Sequence, residues 1–128
     1  RGEGIDKEYL LITSRDTGRW IIPKGWPIRG LKSNETALRE AWEEAGVTAS
    51  KATDEPVGTY SYDKRHATGW ATPIKTLVYS VEVGGLLDEF PESHQRRRIW
   101  VDAGTAAEMV NEQELKQIFR CQQAISLR

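Results

Sequence analysis

The chain is poor in cysteine, histidine and charge of one sign, and each scarcity narrows what it can be. Its single cysteine, Cys121, excludes an internal disulfide and fits a reducing compartment, so a cytoplasmic protein is expected. Cys121 lies in a helical run, where a packed small residue is the expectation rather than a nucleophile. The two histidines, His66 and His94, stand in polar stretches without partners at ligand spacing, which argues against a zinc site. No apolar run approaches the roughly 20 residues of a membrane span, and no signal-like segment is visible. Eighteen Lys and Arg against 19 Asp and Glu leave a net charge of −1. That balance offers no extended basic footprint for nucleic acid, so any polyanion chemistry must come from local clusters. The 128 residues suffice for one domain with one core. They open on Arg1 without an initiator Met, so residues upstream are expected.

What is present is a concentrated set of carboxylates on one helix. The second half of residues 25–47, GWPIRGLKSNETALREAWEEAGV, reads as a helix with Ser33 or Asn34 as N-cap, Glu35 in the first turn and Gly46 as a left-handed C-terminal residue. Ala37, Leu38, Ala41, Trp42 and Ala45 fall on one side, which predicts the buried face. Glu40, Glu43 and Glu44 fall on another. Glu40 and Glu44 are like charges one turn apart, which costs a bare helix roughly 0.2–0.5 kcal/mol. A face that opposes its own helix suits a cation, and three carboxylates suit a hard divalent ion, Mg²⁺ or Mn²⁺.

Arg39-Glu40-Ala41-Trp42-Glu43-Glu44-Ala45-Gly46-Val47, with Gly25 upstream and the apolar lead-in Trp20-Ile21-Ile22-Pro23, resembles the signature box of the Nudix hydrolases, here residues 25–47. The resemblance implies an α/β/α sandwich with a mixed β-sheet, and a hydrolase acting on phosphoanhydrides. It further implies Glu40 and Glu44 as metal ligands with the carbonyl of Lys24 or Gly25, and Glu43 as general base. Arg39 is the box arginine. The family's first box glutamate is replaced by Leu31; Glu35, four residues before Arg39, is expected to take over the pairing with that arginine. Asp63, Glu89 and Glu92 stand as alternative bases on downstream segments.

The other elements follow in order. Strands are expected at 8–14 and 19–22, a polar connection at 49–56, a strand at 57–62 and a mobile loop at 63–73. One strand is expected over 74–83, ended by Gly84-Gly85, then another at 96–101 and helices at 103–110 and 112–125. Leu115, Ile118, Phe119 and Ala124 or Ile125 form the stripe of the last helix.

Substrate class is read from the cations: Ser14-Arg15 at the end of the first strand, Lys24, and Arg96-Arg97-Arg98, with Lys64-Arg65-His66 in the loop. Three consecutive arginines are unfavourable together unless anions bind there. The segment at 12–23 and the acidic stretch before Arg96 are similar to the diphosphoinositol polyphosphate phosphohydrolases, which also cleave diadenosine polyphosphates. A small polyphosphorylated substrate is implied. Trp26 either stacks on a base or covers the core, and Trp70 is the other aromatic candidate for ligand contact. Trp20, Trp42 and Trp100 are expected at the core. A general nucleotide or nucleotide-sugar pyrophosphatase and a non-catalytic binding module are the alternatives; the three retained glutamates favour catalysis.

Overall fold

A computed structural model of the chain describes residues 1–2 and 7–126, without the side chains of Ala49, Ser50, Arg65 and residues 123–126. Most of the opening segment at 3–6, and the side chains of Ala124 and Ile125, therefore lie outside the described residues.

The centre of the fold is β1 (Glu8–Thr13). Successive strand residues point to opposite faces. Leu11 and Ile12, both fully buried, accordingly enter two different cores. Leu11 packs with Val101, Ala106, Ala107, Val110, Leu115 and Phe119, and Ile12 packs with Ile21, Ala41, Ala45 and Val47. The first core lies against α2 (Ala103–Met109) and α3 (Gln113–Ser126), the second against α1 (Ser33–Ala45). Helices on both faces of β1 are the expected sandwich. β1 pairs with β2 (Trp20–Ile21) on one edge and β7 (Arg98–Asp102) on the other. Two further ladders join β3 (Val47–Ala52) to β6 (Val81–Leu86), and β4 (Gly58–Arg65) to β5 (Ala71–Val78). Every pairing among the described residues is antiparallel.

Several expectations change. The polar connection at 49–56 is largely β3, whose partner β6 satisfies its backbone. The expected strand at 74–83 is two strands broken at Tyr79 and Ser80. Gly84 and Gly85 lie inside β6 and do not end it. Gly85 belongs there because a Cβ would stand 2.9 Å from the Thr48 hydroxyl across the bulged ladder. The loop expected at 63–73 shrinks, since the β4–β5 ladder runs out to Arg65 opposite Ala71. Cys121 is exposed. No helix among the described residues is long and apolar enough to cross a membrane.

Both ends of α1 are held by the chain. Glu35 does not reach Arg39; its carboxylate accepts from the Lys32 backbone N–H at 2.7 Å, so Lys32 is the N-cap and Glu35 closes the first turn. At the other end Gly46 is left-handed, φ 69°, and its N–H reaches back to the carbonyls of Ala41 and Trp42. Arg98 donates one Nη1 to the carbonyls of Ala45 and Leu87, both at 2.9 Å, placing a guanidinium at the negative end of the helix dipole. Its plane lies over the Phe90 ring, 4.9 Å from the centroid. At α2, Asp102 caps the start by accepting from Thr105 N–H, which holds its carboxyl below the usual range.

Gly46 is thus constrained twice, by its φ and by Phe90, whose Cδ1 would lie 2.5 Å from an added Cβ. Gly46→Ala is expected to lose at least about 1–2 kcal/mol for the left-handed backbone, with further loss from the ring contact. Urea denaturation measures it, and an unchanged midpoint would show that the turn does not carry this constraint.

Candidate functional site

α1 buries most of the face its apolar residues suggest, with Ala41 and Ala45 buried and Ala37 and Leu38 half-buried. That face is shifted toward Glu44 and away from Trp42. Thr36, Ala41, Glu44 and Ala45 are buried, while Trp42 is 37% exposed, with the Arg39 guanidinium 5.4 Å from its ring. The helix is turned so that Glu44, only 3% exposed, faces inward. The reason is Arg96. Its Nη2 lies 3.1 Å from Glu44 Oε1, its Nε 2.8 Å from Glu92 Oε1, and its Nη1 donates to the Thr13 carbonyl at 3.0 Å. A buried charge is tolerated only when paired and hydrogen-bonded, and both Glu44 and Arg96 meet that condition in this orientation alone.

The same turn brings Glu40 against Gly25. A Cβ on Gly25 would sit within the Glu40 carboxyl group, so a side chain there would displace that carboxyl from its present position. Glu40 and Glu44 are themselves hydrogen-bonded to one another. Burial, that hydrogen bond, and the charges on Glu40 and Glu92 together outweigh Arg96 and push the Glu44 carboxyl up to about 8. A buried carboxyl beside a second one is short of positive charge, and all-oxygen donors suit Mg²⁺ or Mn²⁺. The residues present therefore fit a divalent cation. Among the described residues no three acidic or other ligand side chains converge on one point. The protein would supply Glu40 and Glu44 with the Lys24–Gly25 backbone, and substrate oxygens and water would complete the shell, as Mg²⁺ commonly has it.

Glu40, Glu44 and Gly25 border a cavity of about 1650 Å³, with Ser14, Arg15, Lys24 and Arg96 also on its walls. Burial holds the Lys24 ammonium below its usual value, with Glu112 and Glu44 pulling the other way. Glu112, near the start of α3, has one buried carboxylate oxygen without a hydrogen-bond partner.

Other expected site residues are placed elsewhere. Glu43 accepts from Arg39 Nε at 3.0 Å, and neither lines the cavity. The three arginines do not form one patch: Arg96, before β7, and Arg98, its first residue, both reach α1, while Arg97 between them is exposed, 5.5 Å from the Trp20 ring. Trp70 is 70% exposed beside His66 and outside the cavity. Of the alternative bases, Glu92 joins the Arg96 cluster, Asp63 is exposed on β4, and Glu89 is exposed near His94. Tyr62, on the strand expected at 57–62, and Lys64, counted among the cations of the expected loop, both line the cavity; Lys64 stands on β4 and not in a loop.

Comparison with known proteins gives three findings. A NUDIX domain model matches residues 4–121. Nudix hydrolase 21, chloroplastic, of Arabidopsis thaliana is 36% identical over 109 residues, covering 83% of this chain and 52% of that protein. Diphosphoinositol polyphosphate phosphohydrolase 3-beta of Homo sapiens is 31% identical over 102 residues, covering 78% of this chain and 57% of the other. The chain spans about half the length of these curated relatives. The crystal structure of C. elegans Ap4A hydrolase shares the fold, with a TM-score of 0.56 at 22% identity over 92% of this chain and 85% of that one.

The Glu44 shift sets the pH dependence of stability. Between its ordinary value of 4.5 and about 8 the folded protein holds a proton that the unfolded chain has released. Stability without metal should therefore fall as pH rises through that window, by on the order of 1 kcal/mol per pH unit. Urea denaturation in EDTA from pH 5 to 8 checks this, and Glu44→Gln should flatten the slope. A wild type whose stability rises over that range would refute the raised Glu44 value.

Proposed function

The chain belongs to the NUDIX domain family, and we propose that it is a metal-dependent pyrophosphohydrolase that cleaves a phosphoanhydride bond in a polyphosphorylated small molecule. The observation that carries this reading is the Glu40–Glu44 pair pressed against Gly25 on the wall of a cavity that also presents cations. The name of the human relative favours diphosphoinositol polyphosphates. Diadenosine polyphosphates are the second substrate class, on the sequence resemblance. The single, exposed Cys121 fits a reducing compartment such as the cytoplasm.

In this proposal Glu40 and Glu44 hold Mg²⁺ or Mn²⁺ with the backbone at Lys24–Gly25. The bound cation would neutralise phosphate oxygens and make water a better nucleophile. Cation binding would be linked to loss of the Glu44 proton. Arg96 fixes Glu44 through Nη2, while its own position is fixed by Glu92 and Thr13. Ser14 and Arg15, whose Nε is 3.6 Å from Glu92, also border the cavity, which supports a role for them in meeting phosphate oxygens. Glu43 serves through Arg39 in holding the exposed face of α1, because its carboxylate is bound there and does not border the cavity.

Glu44→Gln preserves shape and removes the charge a cation needs. At saturating Mg²⁺ it should lower turnover by about 100-fold or more, measured as phosphate release from a panel of diphosphoinositol, dinucleoside and nucleotide-sugar substrates with Mg²⁺ and Mn²⁺. Near-normal turnover in the variant would remove Glu44 from the metal site. A wild type that cleaves no member of the panel would leave a binding module as the function.

A further inference from the structure

The three carboxylates of α1 are held unequally. Glu44 meets Arg96 Nη2 at 3.1 Å, and Glu43 accepts from Arg39 Nε at 3.0 Å. Among the described residues Glu40 stands in no ion pair, and its hydrogen bond is with Glu44. Two carboxylates that hold one cation are both ionised and only accept, so that bond cannot persist in the loaded site. Glu44 then keeps Arg96. Glu40 is left without a donor, although a ligating carboxylate is normally fixed by a hydrogen bond from behind.

One donor on the helix is in reach. Side chains three and four residues apart are neighbours, which gives Thr36, Ala37, Glu43 and Glu44 around Glu40. Ala37 has no polar side-chain atom, and Glu43 is an acceptor bound to Arg39. Thr36 remains. It is 7% exposed, and its hydroxyl is buried without a hydrogen-bond partner. A threonine inside a helix commonly turns its hydroxyl to the carbonyl four residues back. Here that carbonyl, of Lys32, accepts the Thr36 N–H at 2.9 Å and does not engage the hydroxyl. A buried donor left unbonded destabilises the metal-free protein. Thr36, Glu40 and Glu44 stand at i, i+4 and i+8 on one stripe of α1, and all three border the cavity. The unbonded hydroxyl therefore lies one turn before the carboxylate that lacks a donor.

We infer that Thr36 is a positioning residue of the cation site, its hydroxyl donating to the Glu40 carboxylate when Glu40 and Glu44 hold a divalent ion. The inference rests on the metal-dependent reading above and adds the residue that aims Glu40. Thr36 acts through Glu40 and not on the substrate.

Two variants separate the hydroxyl from the shape. Thr36→Val keeps the branched outline and removes the donor; Thr36→Ser keeps the donor and removes a methyl group. Mn²⁺ affinity is measured by titration calorimetry on the intact chain without substrate, and urea midpoints are measured in EDTA. Thr36→Val should bind Mn²⁺ about tenfold more weakly or worse. Its midpoint in EDTA should equal or exceed that of the wild type, because the unbonded donor is gone. Thr36→Ser should bind Mn²⁺ within about threefold of the wild type. Unchanged affinity in Thr36→Val would overturn the inference and leave the cation site standing. Equal weakening in both variants would do the same, since shape and not the hydroxyl would then matter. So would a lower metal-free midpoint in Thr36→Val, which would mean that the hydroxyl already has a partner. A wild type that binds Mn²⁺ no better than Glu40→Gln would remove the cation site itself, and the role of Thr36 with it.

Discussion

Arg96 and Glu44 form the contact on which the arrangement of the molecule depends. The guanidinium is 7% exposed and uses all three of its nitrogens, on Glu44, Glu92 and the Thr13 carbonyl. It thereby joins α1, the segment before β7 and the end of β1. Removing one partner of such a buried pair typically costs about 3–5 kcal/mol, because the other charge is left without compensation. That penalty exceeds what is gained by burying Trp42 in preference to Glu44, about 1.5–3 kcal/mol for a large apolar side chain. Hence α1 rotates its acidic edge inward and leaves Trp42 partly in solvent under Arg39.

The rotation has a cost that the site uses. Glu44 is carried next to Glu40 in a buried place, and burial and that neighbour raise its carboxyl well above the usual range. Functional sites are where such unfavourable charge arrangements are expected, since the missing partner is supplied by a ligand. Gly25 allows the approach by having no side chain to occupy the space of the Glu40 carboxyl.

The arginine run has a different role from the one its composition suggests. Arg96 anchors the carboxylate face of α1, and Arg98 covers the helix's last carbonyls. Arg97, between them, is exposed over Trp20. The run of like charge is divided into two structural contacts and one exposed residue, and the repulsion expected of three neighbouring arginines is relieved by acids and carbonyls of the protein. The cavity's uncommitted positive charge is then carried by lysines on aromatic rings.

The sequence by itself determined whatever depends on neighbours along the chain. The helix ending at the left-handed Gly46, the strand at Glu8–Thr13, the two C-terminal helices and the Glu40, Glu44 and Gly25 set were legible, because turn chemistry and periodicity are local. Tertiary structure decided the rest. β3 was hidden because a polar strand forms only when β6 is there to pair with it, and Gly85 reads as a break until Thr48 is seen to need the space. Glu35 serves the Lys32 amide and not Arg39, since a helix's first free N–H groups require an acceptor and Glu43 was already in reach of the arginine. Which face of α1 is buried, and which arginines are free for a ligand, could not be read from hydrophobicity. A buried charge must find its partner from a distant part of the chain, and the Glu44–Arg96 pair spans more than fifty residues of sequence.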